Sequence, residues 1–206
     1  DKLLLAAGPI FAEKGFEGST VREICDAAGA NLAAVNYHFG DKESLYVETV
    51  RHASQRRQEK VPMPERFIGT APQVLLRDFI ETLSARMLGD DRAPWEPRLM
   101  MREVLEPTAA CERMVNEYFR PFLTRLKEVI QQLSPRPLTE DQLFRVAFSI
   151  VGQCMYYRVA GKVVRLLTGQ SDRFQQPDQV AEHVYQFSLA AICGYNQSEL
   201  PIPVEE

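Results

Sequence analysis

The sequence predicts an all-α protein made of two helical domains. Apolar residues recur at helical spacing along most of the 206 residues, and no stretch shows the alternation typical of strands. Helix start signals, in which Ser, Thr, Asp or Asn precedes an apolar run, recur along the chain, with Gly or Pro behind the runs. The residue fractions, 45% hydrophobic and 25% charged, are ordinary for a chain that builds a globular core.

Residues 20–39 predict two short helices joined by a tight turn. Thr20 is expected to cap the first helix and Glu23 to complete a capping box. Gly29 can adopt the left-handed conformation that ends a helix, and Asn31 is a good N-cap for the second helix. This arrangement indicates a helix-turn-helix, whose second helix can enter the major groove of DNA. Its inward apolar face comprises Val21, Ile24, Ala28, Val35 and Phe39.

The run from Gly29 to Leu45, GANLAAVNYHFGDKESL, resembles the tetracycline-repressor-like (TetR) family of transcriptional regulators. The upstream segment at residues 11–20, FAEKGFEGST, is similar as well, so the resemblance covers residues 3–50. It implies an N-terminal three-helix DNA-binding domain, a double-stranded DNA operator, a homodimer and a small-molecule inducer. The residues that carry it are Gly29, Asn31, Tyr37, His38, Phe39, Lys42, Glu43 and Leu45.

The helix-turn-helix predicts which residues contact DNA. Tyr37 and Lys42 suit phosphate contacts, and Lys42 opposes the dipole of its own helix, which a phosphate would offset. Asn36 replaces the aromatic residue more common in the family, and an Asn amide can read adenine. Leu32 either packs inward or faces the groove. The predicted DNA-binding residues are Thr20, Asn31, Ala33, Ala34, Asn36, Tyr37 and Lys42.

Charge argues mildly against nucleic acid. The net charge is −4, and residues 1–60 hold eight Lys or Arg and nine Asp or Glu, whereas DNA-binding domains are usually basic. Two features offset this: Lys2, Lys14, Arg22 and Lys42 are expected to share a face, and a natural N-terminal arm ahead of Asp1 could carry basic residues.

The chain also predicts a cytoplasmic protein. It shows no signal-peptide layout and no long uninterrupted apolar run that could span a membrane. The four cysteines are far apart and lie in helical patterns, so they are expected to be buried apolar residues rather than disulfides or ligands.

The remaining segments predict further helices. The first helix spans residues 2–14 and ends at Gly15, and the fourth spans residues 42–59 behind an Asp41 cap. A Pro- and Gly-rich stretch at residues 61–72 divides a DNA-binding domain at 1–60 from a ligand-binding and dimerisation domain at 61–206. The helices of the second domain are predicted to begin after caps at Thr70, Thr108 and Thr139, with others at residues 95–105 and 177–195. Pro121 is expected to kink the helix at 109–133, and the helix opened by Thr139 is expected to run to Leu167.

Two functional surfaces are predicted in the second domain. The helix at residues 143–157 is apolar on nearly all sides, which predicts burial on two faces and a homodimer through this helix and the last one. The Met-rich and aromatic middle helices predict an apolar or amphipathic inducer. The predicted dimer residues are Phe148, Val151, Val184, Phe187 and Ala191, and the predicted ligand-binding residues are Trp95, Met101, Arg102, Phe122, Gln153 and Tyr157.

These observations favour a ligand-responsive dimeric transcriptional regulator, most simply a repressor released from its operator. The first alternative is a helical protein–protein adaptor that has lost DNA binding, which the near-neutral charge of residues 1–60 favours. The second is an enzyme, against which the sequence shows no catalytic motif, no metal-ligand spacing and no cofactor-binding loop. We therefore expect no cofactor and no metal.

Overall fold

The computed structural model describes residues 2–63, 69–89, 95–169 and 171–194. These residues form helices and connecting turns, and no strand occurs among them. The elements are α1 (Lys2–Gly18), α2 (Val21–Ala28), α3 (Leu32–His38), α4 (Lys42–Lys60), α5 (Pro72–Leu88), α6 (Trp95–Leu105), α7 (Ala110–Met114), a π-helical turn (Val115–Phe119), α8 (Arg120–Leu133), α9 (Glu140–Val159), α10 (Gly161–Leu167), a 3₁₀ turn (Asp172–Gln175) and α11 (Pro177–Gly194). The predicted all-α fold is confirmed.

The helices form two compact units. The first unit comprises Asp1–Pro62 and Asp90–Phe122, and the second comprises Met63–Gly89 and Leu123–Glu206. Residues 95–122 thus belong structurally with the first four helices, although they follow the Pro- and Gly-rich stretch at residues 61–72. The division into functional domains at 1–60 and 61–206 stays a prediction.

The first unit is organised around Phe11 and Tyr46. Their rings meet edge to face with centroids 4.8 Å apart, and both are almost fully buried. Phe16 contacts the same tyrosine ring from another side at 5.3 Å. Residues of α1, α2, α3, α4, α6 and α7 surround this centre, so the helix-turn-helix shares one core with helices much later in the chain. That core contains Leu4, Ala7, Ile24, Val35, Leu45, Val50, Leu99 and Met114.

Two glycines let α6 approach α1 closely. A Cβ atom built on Gly8 would lie 2.4 Å from the ring of Trp95, so only glycine leaves room for that indole. Gly15 has φ 73° and ψ −179°, which breaks regular helical geometry inside α1 and agrees with its prediction as a helix end. A Cβ atom on Gly15 would lie 2.5 Å from Nε of Arg102. Trp95 and Arg102 therefore pack against α1.

A buried polar network joins α4 to α6. The hydroxyl of Tyr46 donates to Oε1 of Glu103 at 2.6 Å, and the amide of Thr108 donates to the other carboxylate oxygen at 3.2 Å. The fully buried Glu96 accepts from Arg56 at 2.9 Å and from Lys60 at 3.2 Å. Buried carboxylates are tolerated when they are paired in this way.

The second unit packs α5, α9 and α11 against one another. Phe79, Ile80 and Ile150 are almost fully buried, and Ser84 lies 3.6 Å from the thiol of Cys154. Burial raises the pKa of the Cys154 thiol to about 11, so this cysteine stays protonated at neutral pH. Arg77 forms an ion pair with Glu182 and stacks over the ring of Tyr185 at 4.0 Å. These contacts fix α5 against α11.

Several predicted helix starts are confirmed, and two are corrected. Thr139 and Gln142 form the predicted capping box. The Thr70 cap is wrong, because α5 begins at Pro72 with Ala71 at the N-cap position, where the ring of Pro72 suits the first helical residue. The N-cap of α7 is Ala109 rather than Thr108, although the Thr108 hydroxyl accepts from the amide of Ala110 at 3.2 Å.

The predicted irregularity near Pro121 takes a form that the sequence did not specify. The chain is π-helical over Val115–Phe119 and returns to α-helical geometry at Arg120. Pro121 lacks an amide to donate to the carbonyl four residues earlier, and its ring crowds that carbonyl, which lies within the π-helical turn. The predicted helix from 140 to 167 is interrupted at Ala160, which separates α9 from α10.

One of two predicted apolar faces is corrected. On α9 the residues Ala147, Ile150 and Cys154 are buried within the unit, and burial of the second face by a partner copy stays a prediction. On α11 the buried face includes Val184, which is fully buried, whereas Phe187 and Ala191 are exposed. Val184 packs inside its own unit and is therefore removed from the predicted dimer surface.

The cysteine prediction is confirmed only in part. Cys25 and Cys154 are buried as predicted, but Cys111 is half-buried and Cys193 is exposed. Among the described residues, no helix is both long and apolar enough to cross a membrane.

Candidate nucleic-acid interface

The two helices of the helix-turn-helix begin at side-chain caps. Oγ1 of Thr20 accepts from the amide of Glu23 at 3.2 Å, and Oδ1 of Asn31 accepts from the amide of Ala34 at 2.9 Å. The second half of the predicted capping box is not formed, because the Glu23 carboxylate accepts from Lys14 instead. Gly29 adopts the left-handed conformation with φ 61°, as predicted. The turn geometry expected from the sequence is therefore present.

The recognition helix α3 is held by one buried side chain. Val35 is fully buried in the core of the first unit, and Ala34 and Phe39 pack beside it. A helix of seven residues is marginal by itself, so its orientation depends on this anchor and on the Asn31 cap. Ala34, turned partly toward the core, offers less surface to DNA than the other predicted contacts.

The opposite side of α3 is open to solvent. Tyr37 is 85% exposed and Leu32 is 54% exposed, and Ala33 and Asn36 are also exposed. Leu32 and Asn36 are four residues apart, as are Ala33 and Tyr37, so the four residues form two neighbouring rows on the exposed side. The exposure of Leu32 argues against inward packing, and its contact with the groove stays a prediction. The ring of His38 stands edge to face against Tyr37 at 5.0 Å.

Two further predicted DNA-binding residues, Thr20 and Lys42, lie outside α3. Thr20 is exposed, and because its oxygen accepts the capping hydrogen bond, its hydroxyl hydrogen remains available as a donor. Nζ of Lys42 lies 4.5 Å above the ring of Phe16, so the attraction between a cation and an aromatic face already offsets part of its cost at the start of α4. This contact also restrains the lysine side chain.

Internal ion pairs reduce the positive charge available to DNA in the first unit. Lys14 pairs with Glu23, and this hydrogen bond raises the pKa of the Lys14 ammonium group. Glu48 pairs with both Arg51 and Arg113 at 2.7 Å. Arg22, on α2, is exposed. Of the four cations predicted to share a face, Lys14 and Lys42 therefore have contacts within the unit.

Comparison with known families agrees with this geometry. Residues 3–49 match the bacterial regulatory proteins of the tetR family. Residues 72–192, more than half of the chain, match the family described as the C-terminal domain of the HTH-type transcriptional dual regulator CecR.

The chain belongs to the TetR family of transcriptional regulators.

Curated relatives of this TetR-family chain are named as regulators. It is 26% identical over 181 residues to the HTH-type transcriptional dual regulator CecR of Shigella flexneri, covering 82% of this chain and 79% of that protein. It is 42% identical over 60 residues to the HTH-type transcriptional repressor AcnR of Corynebacterium efficiens, which covers 29% of this chain and 32% of AcnR.

Solved structures of the family share the fold. A TetR-family regulatory protein from Rhodococcus RHA1 aligns with a TM-score of 0.70 at 16% identity, covering 93% of this chain and 95% of that one. HlyIIR, a hemolysin II transcriptional regulator, aligns with a TM-score of 0.58 at 20% identity, covering 88% of this chain and 94% of that one. The predicted TetR-family membership and fold are confirmed.

The six predicted ligand-binding residues are divided between the two units. Trp95 and Arg102 pack against α1 in the first unit, and Met101 lies beside them on α6. Phe122 is the last residue of the first unit, whereas Gln153 and Tyr157 are half-buried on α9 in the second unit. A cleft in the first unit between α4 and α7 is lined by other residues, including Val47, Arg51, Ser54 and Met114. The role of the six predicted residues in ligand binding stays a prediction.

Proposed function

We propose that this TetR-family protein is a dimeric repressor that binds a DNA operator through α3 and leaves it when a small apolar or amphipathic molecule binds. The DNA-binding part rests on one observation: α3 is capped and anchored on one side and presents Leu32, Ala33, Asn36 and Tyr37 on the other. An exposed row of such residues on an anchored recognition helix suits insertion into the major groove. Repression is the function in the name of AcnR.

The contacts divide by chemistry. Tyr37, Thr20 and Lys42 carry donors that suit phosphate oxygens and would fix the position of the protein on the duplex. Asn36 carries an amide that can bond to both N6 and N7 of adenine, and Ala33 offers a methyl group to thymine. Asn31 uses its side-chain oxygen for the helix cap, which leaves its amide nitrogen free to donate.

DNA retention provides the direct test. The purified protein would be mixed with random double-stranded fragments, and the retained fragments would be sequenced and measured by fluorescence anisotropy. We expect a palindromic site with submicromolar affinity that weakens as salt increases. A protein that retains no fragment above background, and does not shift the DNA upstream of its own gene, would instead be the helical adaptor.

The dimer rests on two exposed stripes of the second unit. On α9 the stripe contains Phe148, which is 55% exposed, the half-buried Gly152 and the exposed Tyr156, and on α11 it contains Phe187, which is 59% exposed, and Ala191. Apart from its chain neighbours and the backbone of its own helix, a Cβ atom on Gly152 would meet no atom within 4 Å, so this glycine leaves open space on the stripe. Small residues beside large exposed apolar ones suit the close packing of helices from a second copy. Of the predicted dimer residues, Val151 is half-buried and contributes less.

Ligand control rests on the dimer. Two recognition helices must reach successive major grooves, about 34 Å apart, so a ligand that favours another spacing lowers operator affinity. We expect a reduction of about 5- to 150-fold. The helices that follow the DNA-binding part exceed what dimerisation requires, and the π-helical turn before Pro121 locally departs from α-helical geometry.

The single tryptophan offers a readout for ligand binding. Trp95 is the only tryptophan of the chain, and its ring packs on Gly8 of the DNA-binding unit. A panel of apolar and aromatic compounds would be screened for changes in its fluorescence, and each positive compound would be tested against operator affinity. If no compound changes the affinity of the protein for its operator, the protein is a constitutive repressor and the ligand part of the proposal is wrong.

A further inference from the structure

We propose that Leu32 is a specificity-determining residue that contacts a thymine methyl group in the operator and biases it toward a T·A base pair close to an adenine contacted by Asn36. This inference rests on the proposed DNA-binding function, because it concerns which bases the same helix reads. It assigns a base-reading role to a residue outside the set predicted from the sequence.

The geometry directs Leu32 outward. It is the first residue of α3 and is 54% exposed, whereas Val35 on the same helix is fully buried. Leu32 is also absent from the core that holds the motif together. The cap at Asn31 fixes the backbone immediately before Leu32, so its side chain projects from a defined position. Its exposed hydrocarbon gains free energy only if a partner covers it.

The side chains of α3 favour thymine as the base that Leu32 contacts. The residues Leu32–His38 include no Arg or Lys, the side chains that read guanine bidentately, and no Asp or Glu, which accept from cytosine. The exposed face instead carries two hydrocarbon side chains, Leu32 and Ala33, and one amide, Asn36, beside Tyr37, which is assigned to phosphate. In the major groove the thymine methyl group is the apolar feature, and adenine presents the acceptor and donor pair that an amide matches.

The spacing of Leu32 and Asn36 supports contacts to base pairs that lie close together. Leu32 and Asn36 are four residues apart on one face, which corresponds to a rise of about 6 Å along the helix. Base pairs follow one another at about 3.4 Å along the duplex, so the two side chains can reach base pairs about two steps apart. A T·A pair under Leu32 and an adenine under Asn36 would therefore lie within one short A·T-containing segment of each half-site.

The test is a double-mutant cycle that removes the methyl group from the DNA and the leucine hydrocarbon from the protein, separately and together. In the selected site, each thymine would be replaced in turn by deoxyuridine, which differs only in lacking the C5 methyl group. We expect the wild-type protein to lose about fourfold in affinity at one thymine of each half-site, a factor set by uncovering one methyl group. For Leu32→Ala the same replacement should change affinity by less than about 1.5-fold.

Two further variants keep the test decisive. Leu105→Ala truncates a leucine of similar exposure, 60%, on α6 of the same unit and should keep the full deoxyuridine effect. Leu32→Gln replaces hydrocarbon with an amide, and a repeated site selection should lose the thymine preference. An equal deoxyuridine effect in wild type and Leu32→Ala at every thymine, or an unchanged site for Leu32→Gln, overturns the assignment of Leu32 alone. Retention of no DNA overturns the proposed function together with it.

Discussion

The hydroxyl of Tyr46 donates to Glu103 across 2.6 Å, between two side chains that are almost fully excluded from solvent. Tyr46 lies on α4, directly after the helix-turn-helix, and Glu103 lies on α6, which also packs against α1. The ring of Tyr46 contacts Phe11 and Phe16 while its hydroxyl reaches the carboxylate. One residue thus joins the apolar core of the DNA-binding unit to its buried polar network.

Removing this hydroxyl should destabilise the protein. Tyr46→Phe keeps the ring but leaves Glu103 with only its Thr108 partners, so we expect the free energy of unfolding to fall by about 1–3 kcal/mol. Chemical denaturation followed by circular dichroism measures the change. Tyr37→Phe is the matched control, because it removes the same hydroxyl group from a side chain that is 85% exposed. This variant should change the free energy of unfolding by less than about 0.5 kcal/mol. Equal effects of the two variants would show that the Tyr46–Glu103 bond contributes nothing specific.

The same contact predicts alkaline destabilisation. Burial, and then the hydrogen bond to Glu103, raises the pKa of Tyr46 far above its ordinary value near 10. The unfolded chain therefore releases a proton above about pH 10 while the folded chain retains it, so stability is intact below that pH and falls as pH rises. The slope from this residue is at most about 1.4 kcal/mol per pH unit. Denaturation between pH 9 and 11 should show a shallower decline for Tyr46→Phe, and identical slopes would contradict the prediction.

The Asn31 cap should matter to both folding and DNA binding. Asn31→Ala removes the bond to the Ala34 amide and should cost about 1 kcal/mol of stability. Asn31→Asp keeps a capping oxygen but brings negative charge toward the phosphates, so it should leave stability near wild type and weaken DNA binding. Asn31→Ser, which caps without charge, is the control. Melting curves and anisotropy titrations separate the two roles, and equal DNA binding by the Asp and Ser variants would exclude a position near phosphate.

Lys42 should contribute to affinity without setting sequence preference. Lys42→Ala removes one phosphate contact, so the slope of log affinity against log salt should fall by about 1, with all sequences weakened alike. Tyr37→Phe should weaken binding by about 0.5–1.5 kcal/mol if its hydroxyl donates to phosphate. Lys162→Ala, an exposed lysine of the second unit, serves as the control and should leave the slope unchanged. A change of sequence preference in Lys42→Ala at constant slope would reverse the assignment of backbone and base contacts.

A charge on the exposed stripes should dissociate the dimer. Phe187→Glu or Phe148→Glu would bury an unpaired carboxylate between two copies, and we expect light scattering at micromolar concentration to report a monomeric mass. Leu105→Glu, on an exposed leucine outside the stripes, should leave the dimeric mass unchanged. A wild-type protein that is itself monomeric would refute the interface.

The local signals of the sequence were sufficient for the helix-turn-helix. Capping by Thr20, Asn31 and Asp41, and the left-handed Gly29, depend on side chains and backbone within a few residues of one another, so the sequence shows both partners of each contact. The inward position of Val35 likewise followed from helical spacing. The predicted cap at Thr70 was wrong, because α5 begins at Pro72, two residues further on.

Tertiary packing alone decided the rest, because those features depend on residues far apart in the chain. That Trp95 and Arg102 face Gly8 and Gly15 cannot be read from the periodicity of α6, which shows an apolar side but not its neighbour. Helical spacing likewise groups Val184 with Phe187, although only the packing of α11 within its unit shows which is buried. The sequence by itself determined the family, the helical fold and the recognition helix, since these are encoded in local patterns. Only the tertiary structure decided which side chains remain exposed for DNA or for a second copy, because exposure depends on what the rest of the chain covers.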